Sequence, residues 1–286
     1  MDMIKLTLYK LLFSVTALFV ISSACSDTST GLEPGDLTGE YVSYELDATG
    51  DSGLTGTLTF AERIDGFAEV TVELSEVPVE KEYSVQINSG TILQGGDLLI
   101  KLEPVDESGE SVTTVSADAE GNTVSYEDLI EINGHLNVYS SENETETILA
   151  QADVGGNKLT GEALVFDIEE ENESAITGSV EFLERISGNI LAVIELSGTD
   201  PAQTHIARLY SAGDEENDNG EHQFTFSEID GESGISYTDL YELNDESEFL
   251  YEDLKEFEGS VHIYYSEDDL TLLATATMEP EEEADE

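Results

Sequence analysis

Leu54-Thr55-Gly56-Thr57-Leu58-Thr59-Phe60-Ala61-Glu62-Arg63-Ile64-Asp65-Gly66 returns 122 residues later as Ile176-Thr177-Gly178-Ser179-Val180-Glu181-Phe182-Leu183-Glu184-Arg185-Ile186-Ser187-Gly188. The same offset carries Leu37-Thr38-Gly39-Glu40 to Leu159-Thr160-Gly161-Glu162. Self-similarity at one fixed offset marks two copies of one structural unit. A period of about 120 residues is too long for a solenoid repeat and long enough for each copy to bury its own core. The two domains are therefore expected at residues 37–155 and 159–278.

Within each copy the periodicity is that of strands. Val70, Val72 and Leu74 alternate with Thr71, Glu73 and Ser75, the period of two expected when one sheet face is buried. Ala192, Ile194 and Leu196 keep that register in the second copy. Further strands are expected at 57–60, 83–88, 97–103, 134–140 and 147–153, separated by Asp-Gly, Gly-Gly, Glu-Gly-Asn and Ser-Gly turn signals. Only Tyr126-Glu127-Asp128-Leu129 and Tyr251-Glu252-Asp253-Leu254 suggest a short helical turn. The fold class expected is all-β: two tandem antiparallel Greek-key β-sandwiches, immunoglobulin-like or Cu,Zn superoxide dismutase-like. Residues 213–221 and 244–249 lengthen the second copy where surface loops should lie.

The N-terminus reads as an address. Lys5 and Lys10 precede an apolar run at residues 11–21, whose helical length of about 16 Å is too short for a bilayer core of roughly 30 Å. Ile21-Ser22-Ser23-Ala24 then places small residues before Cys25, the one cysteine of the chain. This arrangement resembles a bacterial lipobox: residues 1–24 would be removed and the Cys25 thiol lipidated. An ordinary secretory signal with a chance cysteine is the alternative, but no second thiol exists to pair with this one. Several acyl chains make a stable anchor where a single chain does not. Residue 26 is Ser and not Asp, which favours outer-membrane delivery in a cell with two membranes. Residues 25–36 read as the acylated cysteine and a flexible tether, and residues 279–286, a like-charge run, as a disordered acidic tail.

The chain carries 65 acidic and 9 basic residues, a net charge of −56. Removal of residues 1–24 takes away Asp2, Lys5 and Lys10 and leaves 64 against 7, a net −57. Such a surface repels nucleic acid and anionic lipid headgroups, which excludes both as partners. The acids are spread through both copies, as expected of adaptation to a salty medium, where the Debye length falls from about 8 Å at physiological ionic strength to about 3 Å at 1 M.

Each copy resembles a CHRD domain, a module of chordin and of bacterial secreted proteins and lipoproteins. The resemblance rests on the opening Leu-Thr-Gly, on Val85-Gln86-Ile87-Asn88-Ser89-Gly90 with Gly95-Gly96-Asp97, and on Gly134-His135-Leu136-Asn137-Val138-Tyr139-Ser140 continuing to Ile148-Leu149-Ala150-Gln151-Ala152-Asp153-Val154-Gly155. It implies a sandwich akin to Cu,Zn superoxide dismutase. The family pattern places H-I-H-x-G in a middle strand and N-V-H near the end, and histidines alternating on a strand share a face suited to a metal. Here Gln86 and Asn88 stand in the first motif, matched by Arg208 and Tyr210 in the second copy, and Tyr139 and Tyr264 replace the late histidine. A site of the dismutase type is not expected.

The remaining histidines are His135 at a strand start, His205 before the Arg208 strand, His222 in the acidic insertion and His262 on a closing strand. No two share a ligand-like spacing, and an isolated histidine on a sheet is expected to be a solvated or core-edge residue. The best calcium candidate puts Gly220 at loop position six with Glu215, Asn217 and Asn219 at positions one, three and five. Position twelve is then Phe226 where a bidentate Glu is required. The repeated Glu62-Arg63 and Glu184-Arg185 are read as hairpin-end arginines held among acids, with a shared binding role as the alternative. No catalytic residue, cofactor or resident metal is expected. The reading is a non-catalytic envelope lipoprotein with a structural or binding role toward a protein or glycan, the alternative being a divalent-cation (calcium) binder. An enzyme of the dismutase-like fold comes last. The charge balance makes a direct prediction: the melting temperature should fall as salt is lowered from molar to millimolar, and a flat profile would contradict it.

Overall fold

The computed structural model describes residues 36–75, 77, 82–140, 147–213 and 220–279. The first copy contains β1 (Leu37–Ala48), β2 (Gly56–Arg63), β3 (Ala68–Leu74), β4 (Ser84–Ser89), β5 (Leu98–Lys101), β6 (Glu110–Val115), α1 (Tyr126–Ile130), β7 (Asn133–Tyr139) and β8 (Ile148–Gly155). The second contains β9 (Leu159–Glu170), β10 (Thr177–Arg185), β11 (Ile190–Ser197), β12 (Thr204–Ser211), β13 (His222–Thr225), β14 (Ile229–Asp230), β15 (Ile235–Leu240), α2 (Tyr251–Lys255), β16 (Gly259–Tyr264) and β17 (Leu272–Met278). Both are antiparallel and all-β, as the alternation requires.

Each module is one sheet folded back on itself. The strand order is β5-β4-β7-β8-β1-β2-β3-β6 in the first, and β13-β12-β16-β17-β9-β10-β11-β15 in the second, where β14 also pairs β12. The chain leaves the first half-sheet after β3, builds β4 and β5 opposite, and returns to lay β6 on β3, the crossing of a Greek key. The 12-residue β1 joins the halves, pairing with β2 over most of its length and with β8 at Asp47 and Ala48.

The repeated Leu-Thr-Gly-Glu acquires a physical meaning here. Gly39 and Gly161 take φ of +101° and +97°, a region that L side chains rarely enter, where the register between the first two strands of each module shifts. The neighbouring threonine hydroxyl then reaches the glutamate of the repeated Glu-Arg, Thr38 Oγ1 to Glu62 Oε2 at 2.6 Å and Thr160 Oγ1 to Glu184 Oε2 at 2.8 Å. The shared tetrapeptide is therefore a bulge with its own clasp.

Burial follows the predicted period. In β3, Ala68, Val70, Val72 and Leu74 face a core that includes Tyr44, Leu58, Phe60, Ile87, Leu136 and Val154. The second module has a separate core around Phe182, Ile190, Ile194, Leu209, Val261 and Ala276. Phe60 and Phe182, equivalent in the repeat, are both fully buried, each worth about 1.5–3 kcal/mol of apolar burial. The expected helical turns are single-turn helices. Ser125 caps α1 by accepting from the Asp128 amide at 3.1 Å while Asp128 accepts from the Ser125 amide at 2.9 Å. The capping residue of α2 is Leu250, so only the return bond to Asp253 remains, at 2.9 Å.

Three expectations are corrected. His222 does not lie in a loop but opens β13, and His205 does not precede its strand but lies inside β12. Strands β1, β9, β6 and β15 went unread: the first half of β1 and of β9 is largely exposed and carries no alternation, and that of Glu110-Ser111-Val112-Thr113-Thr114-Val115 is carried by small polar side chains. Among the described residues no helix is long and apolar enough to cross a membrane.

Candidate binding cleft at the module junction

The two modules are joined by residues 156–158, and every one of them is tied down. Gly155 ends β8 at φ +61°, with the Ile132 carbonyl where a Cβ would stand, and donates its amide to the Tyr44 hydroxyl at 3.2 Å. Gly156 donates to Ile132 O and accepts from the Ser187 amide, at 3.0 and 2.8 Å. Asn157, 2% exposed, donates Nδ2 to the carbonyls of Gly90 and Gly134 at 2.9 and 3.2 Å. Lys158 sends Nζ to the Ser43 carbonyl at 3.1 Å and lies over the Tyr44 ring. The linker thus belongs to both modules at once.

Arg185, at the end of β10, completes the joint. Its side chain is 1% exposed and bridges Asp153 of the first module at 2.7 Å and Asp239 of the second at 2.8 Å, while also donating to the Asn157 carbonyl. The carboxylates are themselves satisfied: Asp153 accepts the Ile92 amide at 2.9 Å, and Asp239 accepts the Thr91 hydroxyl. A buried ion pair survives only when its remaining lone pairs are filled in this way. The expectation of an arginine held among acids in both copies fits, yet the two sites differ. Arg63 bonds Asp36 and Asp65 at 3.6 and 3.3 Å, and both of those carboxylates are about half exposed. Strand pairing puts Thr114 where the second module has Asp239, since Thr114 lies opposite Glu69 as Asp239 lies opposite Leu191. Sequence reasoning missed the joining role because Asp153 and Asp239 lie 32 and 54 residues from Arg185 in a chain crowded with acids.

Above this joint lies a cleft of about 200 Å³. Its floor is Arg185, Asp239, Thr91 and Asn157, all fixed by the contacts just described. Gln94 and Asn133 of the first module and Asn189 of the second line its sides, and the ring of Tyr241, 46% exposed, forms one wall. The loop carrying Thr91 and Gln94 is held by Gly90 N to Asn133 O at 3.0 Å, Gly95 N to Thr91 O at 3.0 Å and Asn88 Nδ2 to Gly96 O at 3.1 Å. One guanidinium is shared by two carboxylates beneath the cleft, and the walls present amides.

Gln86, Asn88 and Tyr139, and in the second module Arg208, Tyr210 and Tyr264, occupy the outer face of the β4–β7 and β12–β16 pairs. Asn88 lies opposite His135 and Tyr210 opposite Ser260, so the pairing of Gln86 with Arg208, Asn88 with Tyr210 and Tyr139 with Tyr264 across the copies holds in register. In the second module the His262 and Tyr210 rings stack at 4.6 Å, and His222 meets Tyr210 at 5.5 Å. Two histidines that looked isolated are thus brought to one aromatic stack by strand pairing. Tyr264 donates to Tyr210 at 3.0 Å, leaving its oxygen to accept from His262 Nδ1 at 3.2 Å, and His262 Nε2 to accept from Ser260 at 2.9 Å. Burial pushes the Tyr264 phenol up, helped by Tyr210, and holds His262 below the usual imidazole range against the opposing charge of Glu171. His222 is lowered by burial first and then by Arg208.

His135 and His205 are buried, each sharing Nδ1 with a carbonyl, Gly90 O at 3.0 Å and Tyr265 O at 3.1 Å. Among the described residues no group of three His, Cys, Asp or Glu side chains is placed to hold a metal ion. Of the calcium candidate, Glu215, Asn217 and Asn219 lie outside the described residues, and Phe226 is a core side chain packed on Phe182 and Phe224. Cys25 also lies outside them. No family model, no curated protein and no solved structure matches the chain.

Two outcomes follow from this geometry. Arg185→Met leaves two buried carboxylates facing each other and should cost about 3–5 kcal/mol. Arg63→Met, between half-exposed acids, should cost less than about 1 kcal/mol. Denaturant titration of both variants checks the contrast. His262 faces Ser260, Tyr264, Tyr210 and the Glu171 charge, and its folded pKa lies below its unfolded value of about 6.5. Its contribution is present above that value and lost as pH falls from about 6.5 toward the folded pKa. His262→Asn, which installs the residue of the first copy, should reduce the drop in melting temperature between pH 7.5 and 5.5.

Proposed function

We propose that this chain is a non-catalytic lipoprotein of the bacterial cell envelope, anchored through Cys25, delivered to the outer membrane, and built to bind a protein or glycan. The observation that carries the reading is the joint: two sandwiches are locked by a buried arginine into one body, with an open polar cleft at the seam. Seams between domains are where binding sites concentrate, because two surfaces meet there without filling the space. The signal segment and its cysteine supply the location, and the resemblance of both modules to CHRD domains agrees with a secreted or lipid-anchored setting.

Among the described residues the Ser260–His262 pair invites an enzymatic reading, and its surroundings oppose it. Strand β16 is paired on both sides, with β12 and with β17. Its amides are spent on the sheet ladder, so this flat face offers no pair of free N–H groups for an oxyanion. The pair serves the aromatic stack.

Native protein recovered from membranes should carry acyl chains on an N-terminal Cys25 by mass spectrometry, and a Cys25→Ser chain should partition into the aqueous phase of a detergent extraction. An unmodified residue 25 in native membranes would end the lipoprotein reading.

A further inference from the structure

We propose that the cleft at the module junction binds one neutral sugar ring, with Gln94, Asn133 and Asn189 addressing its hydroxyls and Tyr241 stacking on its C–H face. This rests on the reading of the chain as an envelope binding protein and names its ligand class.

The chemistry of the lining selects the ligand. The side-chain amides of Gln94, Asn133 and Asn189 engage no other described residue and converge on one space from both modules. An amide offers two donors and an acceptor, the match for vicinal hydroxyls that both give and take a proton. Tyr241 is half exposed beside them and provides a flat apolar surface for the face of a ring that carries no hydroxyl. The floor carboxylate Asp239 is held by Arg185 and Thr91, and the buried Nε–H of Arg185 has no protein acceptor among the described residues. A net charge of −56 repels an anionic ligand, so uronic and sialic acids are disfavoured. A volume of about 200 Å³ is the space of about seven waters, enough for one ring standing partly out of the cleft and too little for a chain of them.

The floor is built before any ligand arrives. Thr91 is 4% exposed and Asn157 2%, and their hydrogen bonds cross between the loop, the linker and the second module. A preformed site loses little freedom on binding, which is how a small cleft can hold a small polar ligand.

The test titrates the full chain at molar salt with methyl glycosides of glucose, galactose, mannose and N-acetylglucosamine, with galacturonate as the charged control, read by calorimetry and ligand-observed NMR. At least one neutral glycoside should bind, and Tyr241→Ala and the Gln94→Ala/Asn189→Ala double variant should each weaken it about fivefold or more at an unchanged melting temperature. A trisaccharide ending in the preferred ring distinguishes the source. Equal binding assigns the end of a glycan, and binding of the single ring alone assigns a free sugar; either outcome supports the site. Absence of binding by all four glycosides, unchanged affinity in both variants, or tighter binding of galacturonate would overturn the proposal. None of these outcomes touches the mass of residue 25, so failure here is distinguishable from failure of the lipoprotein reading.

Discussion

The placement of one guanidinium governs the molecule. Arg185 is removed from water between Asp153, Asp239 and the Asn157 carbonyl, in a chain where positive charge is scarce. Removing an ion from water costs several kcal/mol, so the arrangement persists only because each partner is also hydrogen-bonded elsewhere. Those secondary bonds run to the Ile92 amide and the Thr91 hydroxyl, which fixes the loop that walls the cleft. The ion pair and the cleft are one construction.

The acidic surface and the buried arginine express one constraint. With 65 acids and 9 bases, most carboxylates face water, and their mutual repulsion opposes compaction. Stability has to come from apolar alternation inside each sandwich, and the cores around Phe60 and Phe182 supply it without a tryptophan. The few cations are placed where they matter: Arg185 in the joint, Lys158 over Tyr44 in the linker, Arg208 over Tyr264 on the outer face.

What the sequence made legible was whatever is local or repeated. The alternation of Val70, Val72 and Leu74, the short helices at Tyr126 and Tyr251, and the match of Asn88 with Tyr210 all follow from periods and offsets along one chain. What it hid depended on pairing. His222 and His262 are 40 residues apart and both reach Tyr210 only because β13 and β16 flank β12. Asn157 sits in a three-residue gap with no pattern of its own, and its role comes from two carbonyls more than twenty residues upstream. The cleft residues were not foreseen, since amides at Gln94, Asn133 and Asn189 become a group only when two modules are pressed together.

The two copies are not interchangeable, and the reason is the pair Thr114 and Asp239 together with Asp153 and its counterpart Thr277, placed opposite Ser260 as Asp153 is opposite His135. Were the modules joined in the reverse order, Arg63 would enter the seam facing threonine on both sides, with only Asp65 of its own hairpin as counter-charge. The seam therefore has a direction, and a duplicated half has become a dedicated front or back.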